Sequence, residues 1–102
     1  VSVHGHARQP LEHLEAFAAP ALARGWALLL PVHDEHRHRR YARLAASRRA
    51  MRADLALIAR VESLRGLLPA DGWCLFGYSA GAQYAHRFAL RHPGRLRALA
   101  LG

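Results

Sequence analysis

Apolar and polar positions alternate along the chain in blocks, and the period changes from block to block. Val1-Ser2-Val3-His4 is short and β-prone, and Gly5 to Pro10 breaks it as a loop. From Leu11 the apolar positions recur at helical spacing through Leu14, Phe17, Ala18 and Leu22. Pro10 suits the start of that helix, and Glu12 and Glu15 sit where its dipole favours negative charge. Pro20 falls inside the pattern and predicts a kink or a break into two short helices. Arg24-Gly25 closes the unit. Trp26 to Val32 is continuously apolar, which predicts a strand covered on both faces of a parallel sheet.

His33 to Arg40 is a polar loop, and Tyr41 to Ser47 suits a short helical turn. Met51 to Leu68 carries the strongest helical pattern, and Pro69-Ala70-Asp71-Gly72 is a turn. Trp73 to Phe76 reads as a short buried strand, Ala80 to Arg91 as a helix stopped by His92-Pro93-Gly94, and Leu96 to Leu101 as a further buried strand. The expected order is β-α-β-α-β-α-β: an α/β protein with a parallel sheet, right-handed crossovers and helices on both faces.

Between the third strand and its helix stands Gly77-Tyr78-Ser79-Ala80-Gly81. A Gly-x-Ser-x-Gly in that context has a mechanical meaning. A serine hydroxyl needs a base beside it and must stand clear of the sheet so that a carbonyl carbon can reach it. A tight strand-to-helix turn provides this only if its surroundings are small, and Gly77, Ala80 and Gly81 are. The Ala80 N–H lies at the helix N-terminus, where unpaired donors and the positive dipole end suit an oxyanion.

With these residues in view, the chain resembles the α/β-hydrolase superfamily. Within it, the likeness is to serine esterases of the polyhydroxybutyrate-depolymerase-like and feruloyl-esterase-like kind. The residues that carry it are Val3-His4-Gly5-His6, the Gly25 to Pro31 strand, Arg52-Ala53-Asp54-Leu55, Leu75 to Gln83, and Ala85-His86-Arg87-Phe88 with His92-Pro93. The resemblance implies Ser79 as nucleophile and the backbone N–H groups of Ala80 and His6 as oxyanion donors. His4 then braces the loop, Gly5 permits its bend, and Gly77 and Gly81 shape the elbow. Substrate-pocket candidates are Tyr78, His33 and Asp34, and Gln83 is expected to brace a neighbouring loop.

One departure limits the match. In the superfamily the triad acid and histidine follow the serine. The residues after Ser79 include His86 and His92 and no Asp or Glu. His86 lies two helical turns along from the elbow, and His92 farther. The chain is therefore expected to be the central part of the fold, a single partial domain over 1–102 that lacks flanking strands and a C-terminal part. The acid and base would then come from outside it. A peptidase, thioesterase or acyltransferase would use the same elbow. A non-catalytic remnant of the fold is the contrasting reading, motivated by the absent acid and histidine.

Composition alters this picture little. Among 102 residues 52% are apolar, enough for a core. The net charge is +8, and every one of the 15 cationic residues is arginine, densest from Arg37 to Arg52. That run reads as a solvated surface, so no nucleic-acid partner is assigned. His33, Asp34, Glu35, His36 and His38 bind metals by residue type, but their spacing matches no zinc pattern and no metal or cofactor is assigned. Cys74, the single cysteine, excludes an internal disulfide and reads as a small buried hydrophobe. No apolar run is long enough for a membrane span, and no signal-peptide pattern is visible. The expected partner is a small or polymeric ester.

Overall fold

In a computed structural model residues 1–44, 51–68 and 72–102 are described. Three strands make one parallel sheet: β1 (Ser2–Val3), β2 (Trp73–Gly77) and β3 (Leu96–Leu101), in that spatial order. Ser2 pairs with Phe76 and Val3 with Gly77, while Gly77 pairs on its other side with Leu101. The helices are α1 (Pro10–Ala23), α2 (Ala53–Ser63) and α3 (Ala80–Arg91), with turns of 3-10 helix at Tyr41–Arg43, Arg65–Leu67 and Pro93–Arg95. The chain is thus α/β.

Strand residues point alternately to the two faces of a sheet, and the two faces here are covered by different helices. Val3 and Leu75 meet Tyr84, Ala85 and Phe88 of α3, together with Leu57, Ala53, Tyr41 and Leu44, in the main core. Ser2 and Phe76 face the other way, onto α1. Phe17 packs edge-on to Phe76 with ring centres 5.0 Å apart, and the Ser2 hydroxyl shares a 2.6 Å hydrogen bond with Nδ1 of His13. That bond satisfies two buried polar groups which would otherwise oppose the packing of α1.

The expected strand at Trp26 to Val32 does not form. This segment makes one backbone bond to the sheet, from the Ser2 N–H to the Leu29 carbonyl at 3.0 Å, on the side of β1 away from β2. A ladder needs a partner with several donors and acceptors facing it. Here β1 is two residues long and Pro31 has no N–H to give. Trp26 and Val32 are each 61% exposed, so the double coverage expected from the apolar run is absent. Three ladder strands, not four, are found among the described residues.

Other expectations need correction too. The helix through Pro20 is neither broken nor divided: α1 runs unbroken from Pro10 to Ala23. Pro20 and Ala16, whose carbonyl the proline ring displaces, are both exposed, so water can take the lost hydrogen bond. β3 is not buried, because every residue from Arg97 to Leu101 is exposed. Cys74 is exposed as well, since it alternates with the buried Leu75. The helix expected over Met51 to Leu68 is shorter, ending at Ser63 and followed by the turn at Arg65–Leu67. The turn at Pro69 to Asp71 and the end of the helical turn beyond Leu44 lie outside the described residues.

At the far end of α3 a polar anchor ties two helices together. Asp54, fully buried, accepts hydrogen bonds from Arg52 through both carboxylate oxygens and lies 2.9 Å from Nε2 of His92. Burial alone would raise its pKa, but the hydrogen bonds from Arg52 and His92 outweigh that and hold it at about 2. The N-terminus of α2 is thereby fixed to the C-terminus of α3.

Candidate nucleophile elbow

Backbone packs closely on backbone where β2 becomes α3. A Cβ on Gly77 would lie 2.8 Å from the Ala82 nitrogen and closer still to the Gly81 carbonyl. A Cβ on Gly81 would lie 2.6 Å from the His4 carbonyl and closer still to that of Val3. Both collisions are with backbone, so no rotamer change relieves them. Glycine at these positions lets α3 start directly against β1 and β2.

Ser79 sits in the turn between them with φ 54° and ψ −116°. An L-residue rarely adopts this conformation, and it stores strain of about 1–3 kcal/mol. The surrounding bonds hold it there. The Ser79 N–H donates to the Gly102 carbonyl at 3.0 Å, the Gly102 N–H to Gly77 at 2.9 Å, and the Tyr78 N–H to Val3 at 3.3 Å. Beyond it, the Gly81 N–H donates to Tyr78 at 2.8 Å and the Ala82 N–H to Ser79 at 2.9 Å. The serine is exposed at the C-terminal end of β2. The Ala80 N–H, at the first position of α3, has no backbone acceptor among the described residues.

The loop after β1 passes beside this turn: a Cβ on Gly5 would lie 3.5 Å from Cβ of Ser79. His6 follows, exposed, and its N–H also has no backbone acceptor among the described residues. The loop is braced from beneath. His4, 1% exposed, donates through Nδ1 to the Gly5 carbonyl at 2.9 Å and accepts the His33 N–H at Nε2, 3.1 Å away. The Tyr41 hydroxyl donates to the His4 carbonyl at 3.0 Å. Arg8 donates to the His33 carbonyl and lies over the Tyr41 ring. His4 therefore ties the loop after β1 to the backbone of His33 through its ring.

The pocket candidates separate. Tyr78 is 56% exposed beside the serine, at the mouth of the turn. His33, by contrast, points into the interior: it is 2% exposed, stacked 4.9 Å from Tyr41 and tilted 5.0 Å from Tyr84. Burial, reinforced by the neighbouring His4, His38 and Arg8, pushes its pKa down to about 3. Asp34 caps a turn, accepting the Arg37 N–H at 2.7 Å, and that bond lowers its pKa. Gln83 braces a neighbour indirectly, through Arg87, which donates to Gln83 Oε1 at 3.3 Å and to the Ala42 carbonyl at 2.7 Å.

No side chain hydrogen-bonds the Ser79 hydroxyl among the described residues. His86 is exposed on α3, and His92 belongs to the Asp54 anchor, about 20 Å along the helix axis from the elbow. No group of three or more His, Cys, Asp or Glu side chains converges as a metal site among the described residues. A cavity of about 780 Å³, lined by Val1, Trp26, Leu29, Trp73, Cys74 and Arg97 among others, opens at the opposite edge of the sheet and shares no residue with the elbow.

Tyr41 and Arg8 were not singled out by sequence. Their contacts cross 37 and 25 positions, and only Tyr41's place at an apolar start of a turn hinted at burial. The Asp54–His92 pair was equally hidden, across 38 positions. Compared with known protein families, curated proteins and solved structures, the chain has no match.

Proposed function

We propose that Ser79 is the nucleophile of a serine hydrolase of the α/β-hydrolase fold, acting on carboxylic esters. The observation that carries this reading is the strained backbone of Ser79, φ 54° and ψ −116°, in a turn that admits only glycine two residues away on either side, at Gly77 and Gly81. A serine serving only as a turn residue gains nothing from that strain, since glycine would fill the position at lower cost.

The Ser79 Oγ attacks the ester carbonyl carbon while its proton passes to a histidine base. The carbonyl oxygen becomes an oxyanion, received by the N–H groups of Ala80 and His6. Collapse expels the alcohol and leaves an acyl-enzyme on Ser79, which water then hydrolyses. The histidine and its acid are expected from outside these 102 residues. Tyr78 walls the side of the site where the acyl or alcohol group enters. No cofactor takes part.

The test is labelling of the full-length protein with a fluorophosphonate probe. Ser79 is expected to be modified, and Ser79→Ala to abolish the modification. Absence of labelling at Ser79 sinks the nucleophile assignment. A second reading, a non-catalytic member of the fold, is favoured by one observation: His86 and His92 both lie away from the serine. Turnover of p-nitrophenyl esters by the full-length protein, lost in Ser79→Ala, disposes of that reading. Faster cleavage of aminoacyl amides than of esters would move the assignment to a peptidase.

A further inference from the structure

Three histidines lie together under the loop that carries His6, and the hydrolytic mechanism uses none of their side chains. The ring centres of His4 and His33 are 5.7 Å apart, and those of His33 and His38 are 5.4 Å apart. Nε2 of His33 and both ring nitrogens of His38 are buried without a hydrogen-bond partner among the described residues. His4 is fully committed: one nitrogen donates to the Gly5 carbonyl and the other accepts the His33 N–H.

We propose that the His4–His33 pair is a proton-operated latch on the β1–α1 loop: it is closed while both rings are neutral and releases the loop carrying His6 when they are protonated. The geometry requires this direction. His4 Nε2 can accept the His33 N–H only while it carries no proton. A proton there sets two N–H groups against each other across 3.1 Å and removes the bond that joins the two loops.

His33 has no acceptor for an added proton at its buried Nε2, and a charge there would be unpaired in the interior. The groups that face the pair offer little relief. Arg8 from the loop itself is a cation, and His13 from α1 and His38 from the polar loop are further basic side chains whose charge opposes one on the pair. Tyr41 and Tyr84 are neutral, and burial raises the pKa of each. Among the described residues Asp34 is the anion that favours charge on His33, and its effect is the weakest of those acting on that ring. Burial depresses His4 in the same direction.

Opening the loop to water returns each ring to its ordinary behaviour, so acid favours the open form. With His33 held at about 3 when closed and near 6.5 when open, the opening equilibrium rises about 30-fold at pH 5 and about 300-fold at pH 4, relative to pH 8. His4 adds to this in the same sense. Release would displace the His6 N–H from Ser79. The consequence for catalysis rests on the reading of Ser79 as nucleophile; the opening itself does not.

Amide hydrogen exchange of the full-length protein tests the latch. After correction for intrinsic exchange, opening of the segment from Gly5 to Arg8 is expected to rise about 30-fold from pH 8 to pH 5. His33→Phe keeps the stack on Tyr41 and discards the orphaned nitrogen, and it is expected to reduce that rise at least tenfold. Should that variant not fold, His33→Gln likewise puts a side chain that does not titrate at position 33 and is expected to flatten the dependence as much. Equal opening at pH 8 and pH 5, or an unaltered dependence in a folded variant, overturns the proposal. So does a His33 ring that titrates near 6.5 by NMR in the closed protein. Fluorophosphonate labelling of Ser79 is followed in parallel. If it is absent at every pH the hydrolase reading fails while the exchange result still decides the latch.

Discussion

Replacing Ser79 by glycine should make the protein more stable while removing the proposed nucleophile. The backbone at φ 54° and ψ −116° costs an L-residue about 1–3 kcal/mol, and glycine almost nothing. Against this, glycine enlarges the entropy of the unfolded chain by about 0.5–1 kcal/mol. The hydroxyl has no hydrogen-bond partner to lose among the described residues, and the side chain is exposed, so little packing is forfeited. The balance is a gain of about 1 kcal/mol, read as a rise in the urea midpoint and in Tm, the latter by about 2–4 °C in a domain of roughly 150–250 residues.

Ser79→Ala is the control, because its Cβ retains the strain while the hydroxyl is gone. It should melt within about 2 °C of the parent. The measurement is paired thermal and urea unfolding of the parent and both variants as full-length protein, with an unchanged m value confirming that the unfolded surface is the same. Both variants should lose fluorophosphonate labelling. If Ser79→Gly melts at or below Ser79→Ala, the strain is not there, and the chief support for the nucleophile falls with it.

Four further outcomes follow from the packing. Gly81→Ala drives a Cβ into the Val3 and His4 carbonyls and should cost about 3 kcal/mol or more, read as a fall in the urea midpoint. Asp54→Ala leaves Arg52 and His92 facing a buried vacancy and should cost about 3–5 kcal/mol in the same assay. In the parent, the depressed Asp54 pKa contributes roughly 2 kcal/mol, complete above about pH 4 and lost as pH falls through about 2; Asp54→Asn should flatten that part of the acid-unfolding curve. Cys74, exposed on β2, should react with a thiol reagent in the native protein at a rate denaturant scarcely changes, and protection would contradict its placement.

The best-read part of the sequence was the stretch from Trp73 to Arg91. β2 occupies Trp73–Gly77 and α3 Ala80–Arg91, one residue from expectation at most. Every signal there is local: an apolar run, two glycines, an interrupted period and a Pro-Gly stop. The same holds for Pro10 at the start of α1 and for Gly25, which takes φ +66° after its end.

Errors came where the outcome depends on a partner elsewhere in the chain. An apolar run such as Trp26 to Val32 states what prefers to leave water. Whether it becomes a strand depends on a neighbour with donors and acceptors to match, and β1 offers one bond. The exposure of β3 and Cys74 has the same origin, since burial is a property of what lies opposite. His33 looked like a loop residue by its polar neighbours, and tertiary packing turned it inward onto Tyr41 and Tyr84.

By itself, then, the sequence determined the strand–turn–helix at Ser79, because small residues and periodicity act over a few positions. Only the tertiary structure decided the strain in that serine, the clasp of His4 and His33 beneath it, and the removal of His92 to the Asp54 anchor. Each of those is set by atoms dozens of residues apart, whose meeting depends on the packing of the whole chain.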